Sequence, residues 1–378
     1  LNLLAAAQLA LGVRVAARMS RLPGGKRIGR VSSAPENTLV SVVLPVVNEA
    51  ERVGGALAGL VMQGPCVREI LVVDGGSADN TCEIVEWYAA RDTRVKLIDA
   101  RPRPAGWNGK IWGLRCGIEA ADPASDWILT IDADVRPADD LCASLLTFAR
   151  DESLDALSVA TAQDIVDPAL GALHGSMLAT LVYRFGAPGL RAKTPLATLA
   201  NGQCFLVRRN VLDRTGAIEA ARDSRCEDIT IARTLVASGF AVGFYQSEDL
   251  VSVRMYEGAS EAWDNWPRSL PMQDRFLGPL TLALQMSEVL LVQALPLIAV
   301  ALLIWSRPGR RSLFFRLNLQ LLLVRLGMLA GLRGAYVSVP ALYWLAPLLD
   351  LPVALRLIAA AKQREWTWRG VELVKDAG

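Results

Sequence analysis

Histidine is almost absent from this 378-residue chain, with His174 standing alone. One imidazole takes Ser-His-Asp chemistry out of serious contention and leaves no His pair for a zinc site, so a general base must be something else, most cheaply a carboxylate. Charge is also scarce: 21% of residues are charged against 52% hydrophobic, and the mean hydropathy is +0.30. That is too apolar for an ordinary soluble protein of this length, and part of the chain is expected to meet a membrane. The formal net charge is only +2, which excludes the basic excess of a nucleic-acid binder. The six cysteines (Cys66, Cys82, Cys116, Cys142, Cys204 and Cys226) form no CxxC, and they read as buried free thiols of a reducing compartment.

What is present falls into two halves. From Thr38 to about Arg275, β-rich runs alternate with helical periodicity. LVSVVLP (39–45), EILVVD (69–74), VKLID (95–99) and WILTID (127–132) are apolar runs of strand length without the alternation of a half-exposed sheet, as in central parallel strands. Val53, Ala56, Leu57, Leu60 and Val61 mark a helix between the first two, whose spacing of roughly 30 residues fits a βαβ unit. The expected fold is a doubly wound α/β domain over 38–275. From Phe276 to Ala361, long Leu/Ala/Val runs predict two to four membrane-embedded or interfacial helices, since a span takes about 20 apolar residues. Gln285, Glu288, Arg316 and Arg325 interrupt these runs, and buried helices of a large soluble domain are the alternative. Residues 1–19 read as the tail of a membrane anchor, 20–37 as a linker and 362–378 as a basic tail.

In doubly wound sheets the ligand crevice lies beyond the carboxyl ends of the strands. Asn48 and Glu49, Asp74, and Asp132 with Asp134 occupy those ends. The Asp132-Ala133-Asp134 pair suits a divalent cation and the phosphates of a diphosphate leaving group, although acidic pairs also arise in plain turns. Asp74 enters the Gly-rich turn GGSADNT, where Asp79 or Asn80 can simply cap the next helix. Asn48 with Glu51 fits a capping box as well as a ligand site. Lys110 is one of only six lysines against 34 arginines; just after Gly109 at a helix start, it makes a phosphate site. Glu227 and Asp228 open a helical pattern, where the helix dipole favours acids in any case. Trp263, Trp266 and Arg268 precede the apolar half, where aromatic residues also serve as membrane anchors. The apolar stretch from Ala169 to Leu190 reads either as a groove lining or as a plain core helix.

PVVNEA, VVDGGSADNT, the GK of GWNGKIWGLRCGIEAA, the DAD, NGQCFLVRR and the Glu-Asp of CEDITIA occur in the order of the family 2 glycosyltransferases of GT-A fold. The chain resembles that family over Ser41 to about Arg275. RMYEG with its tryptophan segment, the apolar tail and the late TWRG are similar to the branch that glycosylates membrane lipids, including hopanoid-associated and diaponeurosporenoate glycosyltransferases. The resemblance implies a nucleotide-sugar donor, usually a UDP-sugar, bound through Pro45, Asn48, Glu49, Asp74, Lys110, Asp132 and Asp134. It puts Asp74 near the base, Asp134 with Asp132 on Mg²⁺ or Mn²⁺, Asp228 as general base with Glu227 in support, and Trp263, Trp266 and Arg268 at donor and acceptor closure. An inverting transfer of one sugar to a membrane lipid, at the cytoplasmic membrane with the catalytic domain facing the cytosol, follows as the expectation. Asp228 is expected to be ionised at neutral pH without tuning, as an ordinary Asp near 3.9 is. Two departures stand out. Asp74-Gly75-Gly76-Ser77 replaces the family's DDGS, and Asn265-Trp266-Pro267-Arg268 stands where QxxRW is usual. A polyprenyl-phosphate acceptor, a nucleotidyltransferase and a non-catalytic membrane protein are the rival readings; a nucleotidyltransferase would carry a GxGTR-like loop where this chain has Val47-Asn48-Glu49.

Overall fold

The computed structural model describes residues 1–20, 25–271, 273–306 and 312–362, together with the backbone of 365–368 and 371–374. The chain forms two compact units. One comprises 26–163, 188–255 and the C-terminal residues from 364; the other comprises 1–25, 164–187 and 256–363.

The first unit is built on a nine-stranded mixed sheet. Val40–Val46 pairs in parallel with Val67–Asp74, which pairs in parallel with Val95–Asp99. On its other side Val40–Val46 pairs in parallel with Trp127–Ile131. The winding reverses there, so the topological switch point lies between these two strands. Beyond Trp127–Ile131 come Cys204–Arg208, antiparallel to both its neighbours, then Ala156–Ala160 and Val242–Ser247. Four of the strands coincide closely with the apolar runs of the sequence. They lack alternation because helices cover both faces: Val53, Ala56, Leu57 and Leu60 of helix Ala50–Val61 are wholly buried among Val42, Leu44, Ile70 and Val72. On the other face, helix Gly109–Ala120 comes close to Val40–Val46 at two glycines, one turn apart. A Cβ on Gly117 would stand 2.4 Å from Val43 Cγ1, and one on Gly113 would stand 3.1 Å from Pro45 Cβ.

Pro45 is tolerated in a central strand for a local reason. The ladder to Trp127–Ile131 ends at Val43, so the missing N–H of Pro45 removes no bond on that side.

The second unit is helical. Asn2–Met19 and Pro168–Phe185 pack with three helices long and apolar enough to cross a membrane: Pro279–Leu303, Leu313–Ala335 and Tyr343–Lys362. Pro168–Phe185 buries thirteen of its eighteen residues, which makes it a core helix rather than the lining of an open groove. Within Pro279–Leu303 a π turn over Val289–Ala294 runs up to Pro296. Proline has no N–H to give the carbonyl four residues back, and a wider turn absorbs the mismatch. Several polar groups inside this unit find partners in one another, which lowers the cost of excluding water from them. Gln8 and Asn318 exchange hydrogen bonds of 2.8 and 3.0 Å. Arg325 grips Asp350 at 2.8 and 3.0 Å, and Ser176 and Gln293 also donate to Asp350. The carboxylate of Glu288 takes Arg14 and Arg18. The basic loop 307–311 and the side chains of the tail beyond Lys362 lie outside the described residues.

Candidate active site

Every strand-end residue singled out by the sequence lies in the sheet unit, at the carboxyl ends of its parallel strands. Asp74 ends its strand 5% exposed, and its carboxylate accepts from Gly76 N, Ser77 N and Ser77 Oγ at 2.6–3.1 Å. Its first task is to fold its own loop. Asn48 does not cap helix Ala50–Val61. It takes φ 53°, which asparagine tolerates better than most residues. Its Oδ1 accepts from Ala78 N while its own N–H donates to Ser77 Oγ. Two strand-end loops are thereby stitched together. Asp79 completes the stitch by accepting from Ala50 N and Thr81 N at two helix starts.

The centre of the site is Lys110. Asn108 caps its helix by accepting from Lys110 N at 3.0 Å, and the ammonium reaches Asp132 Oδ1 at 2.8 Å, Asp132 Oδ2 at 2.9 Å and Glu227 Oε1 at 2.9 Å. Asp132 follows strand Trp127–Ile131, and Glu227 opens helix Glu227–Ala237. Asp228, next to Glu227, is held by two backbone amides, Gly202 N at 2.7 Å and Ile229 N at 2.8 Å. Burial and then the neighbouring Glu227 push its carboxyl up to about 7, against the pull of Lys110 and those amides. The expectation of an untuned, fully ionised Asp228 is therefore corrected: the sequence showed the acidic pair but not its desolvation. Asp134 is also pushed up to about 7, by burial and then by Asp132, with Glu49 adding to the effect. Its Oδ1 is buried and has no hydrogen-bond partner among the described residues.

The segment Asn201-Gly202-Gln203 was a motif without a stated role, and the structure supplies one. Gly202 gives its N–H to Asp228, and a Cβ there would come within 3.2 Å of Lys110 Nζ and 3.3 Å of Asp228 Cβ. Asn201 and Gln203 brace the loop through Thr161 and Ser158. Its signal in the sequence was the glycine between two amides just before a strand. Trp263 and Trp266 belong to the helical unit, where Trp266 stacks on His174 at 5.0 Å and 14° and His174 Nδ1 lies 2.9 Å from Tyr336 Oη. Arg268 ends the short turn Trp266–Arg268, and its side chain lies outside the described residues.

Residues 41–216 match the family described as Glycosyl transferase family 2. These residues form a family 2 glycosyltransferase domain. The transferase domain has relatives among known proteins. A probable glycosyltransferase of Bacillus subtilis is 25% identical over 232 residues, which are 61% of this chain and 53% of that protein. The succinoglycan biosynthesis protein ExoA of Rhizobium meliloti is 31% identical over 122 residues, 32% of this chain and 35% of that protein. The chain thus spans about half the length of the first relative and about a third of the second. A mannosyltransferase of Pyrobaculum calidifontis, solved with GDP-Man and Mn²⁺, is similar over 94% of this chain and 99% of its own, with a TM-score of 0.52 and 18% identity. That likeness is one of fold, and the transferase domain is of the GT-A type.

Proposed function

We propose that the chain transfers a single sugar from a nucleotide sugar, with UDP as the nucleotide, to a membrane lipid, with inversion at the anomeric carbon. The observation that carries this reading is Lys110 held by Asp132 and Glu227, with Asp134 and Asp228 next to them in the chain, beside the strand ends of a family 2 glycosyltransferase domain.

A divalent cation fits the residues present. Asp134 offers a buried oxygen without a partner, and its ionisation is suppressed by burial and by Asp132, a state that a cation relieves. Asp134, with Asp132, would hold Mg²⁺ or Mn²⁺. When bound, the ion supplies positive charge against the diphosphate as it leaves. Asp228 removes the acceptor hydroxyl proton, its two oxygens aimed by Gly202 N and Ile229 N, and Glu227 helps to fix Lys110 beside it. Asn48 and Asp74 hold the strand-end loops against which the nucleotide lies.

The lipid acceptor is supported by the three candidate spans and by exposed apolar side chains on the helical unit, such as Leu302 and Trp305 at 74% and 90%. Trp263 and Trp266 are proposed to meet the acceptor. Nucleotide sugars are made in the cytosol, so the sheet unit is assigned to that side of the cytoplasmic membrane. The deciding experiment measures UDP release with several nucleotide sugars and a membrane lipid extract, with mass spectrometry of the lipid product. GDP-mannose belongs in the donor panel, since the mannosyltransferase of similar fold was solved with it. No transfer from any donor to any lipid would overturn the proposal.

A further inference from the structure

A lysine at a glycine-led helix start reads as a hook for the donor phosphates, but its surroundings give it other work. An ammonium has three protons to donate, and three carboxylate oxygens stand within 2.9 Å of Lys110 Nζ: both of Asp132 and one of Glu227. The charge of Asp228 acts on it as well. The helix start is also partly spent, because Lys110 N already donates to Asn108. Gly202 closes in from another side, so near that an added Cβ would stand 3.2 Å from Nζ. The ammonium is therefore enclosed by acids, with its donors occupied. Two carboxylates, those of Asp132 and Glu227, thus share this one lysine.

We propose that Lys110 is the built-in counter-cation of the unloaded site, a positioning residue that acts through Asp132 and Glu227 rather than a phosphate hook. It neutralises the carboxylates that would otherwise repel one another and ties the strand end carrying Asp132 to the helix carrying Glu227 and Asp228. Metal and nucleotide bind in competition with it for Asp132. The inference rests on the transferase reading for the meaning of the site, but its key measurement does not depend on turnover.

The test uses the full chain in detergent and Mn²⁺ alone as the probe, titrated without nucleotide and followed by the electron paramagnetic resonance of free Mn²⁺. Lys110→Met leaves the acids uncompensated and should bind Mn²⁺ at least tenfold more tightly than wild type. Lys110→Arg keeps the charge and should stay within about threefold of wild type. Lys110→Gln, which is neutral and still hydrogen-bonds, should tighten Mn²⁺ binding as Met does and serves if the Met variant does not fold. A phosphate hook predicts the opposite pattern, with unchanged Mn²⁺ affinity and at least tenfold weaker UDP binding, and that result would overturn the proposal. UDP binding by wild type in the same samples tests the transferase reading separately.

Discussion

Replacing Asp228 by Asn changes one atom and three interactions, and their sizes can be set against one another. The carboxyl is pushed up to about 7 by burial and Glu227. A base must be ionised, so kcat/KM of the wild type with a hydroxyl acceptor should fall roughly tenfold between pH 8 and pH 6, where an ordinary aspartate near 3.9 would give a flat profile. The Asn variant loses the proton acceptor, which costs about 10²- to 10⁴-fold in rate, or about 3–5 kcal/mol of barrier. Its stability changes less, because two effects oppose. One of the bonds from Gly202 N and Ile229 N meets an NH₂ group instead of an oxygen, at a cost of about 1–3 kcal/mol. Against this, a carboxyl whose folded value is raised contributes stability that is present at low pH and lost as pH rises through about 7, and Asn removes that loss at pH 8. The melting temperature should therefore move by only a few degrees while transfer collapses. The assay is UDP release against pH for both proteins, with thermal unfolding alongside. A wild-type profile flat from pH 6 to 8, or an Asn variant keeping more than a tenth of the rate on an alcohol, would refute the reasoning. An acceptor that is itself a carboxylic acid arrives ionised, so on such a substrate the Asn variant should keep much of its activity.

Four further outcomes are expected. Asp134→Ala, or EDTA with the wild type, should abolish turnover, and full activity in either case would remove the metal from the scheme. Arg325→Leu should cost about 3–5 kcal/mol by leaving Asp350 buried without its ion-pair partner, whereas Arg325→Met with Asp350→Leu should recover most of it; thermal unfolding in detergent reads both. Gly117→Ala should destabilise by about 1–3 kcal/mol because its Cβ meets Val43, while Gly64→Ala, with nothing within 4 Å, should be neutral. A chain cut after Met255 should not give a soluble transferase domain, because helix Pro168–Phe185 would lose the partners that cover its thirteen buried residues; a monodisperse product at neutral pH would contradict this.

The parallel strands were legible because burial on both faces writes itself as unbroken Val, Ile and Leu, and the doubly wound rule then pointed to Asp74 and Asp132 at their ends. Less legible was anything set by a partner far away in sequence. Asn48 with Glu51 looked equally like a capping box, and only the loop around Ser77 and Ala78 shows why Asn48 takes positive φ instead. Cys204–Arg208 carried a motif, yet no residue in it announces that it runs antiparallel between two neighbours. Lys110 beside glycines suggested a phosphate, since the three acidic oxygens around it come from residues 22 and 117 positions away. Pro168–Phe185 is apolar enough for either a groove or a core, and its packing among the later helices settles the matter.

The helical unit also constrains the order of events on the ribosome. Asn2–Met19 and Pro168–Phe185 are synthesised before Pro279–Leu303 and Leu313–Leu332, and the pairing of Gln8 with Asn318 closes a span of 310 residues. Contacts so far apart in the chain come with a large loop-closure cost and are slow to form. Asn2–Met19 must therefore wait while the strands of the sheet are made, and Pro168–Phe185 waits about a hundred residues, each sheltered by a bilayer or a chaperone until its mates arrive. The last strand of the nine-stranded sheet ends at Ser247, so that sheet can mature before the later helices exist.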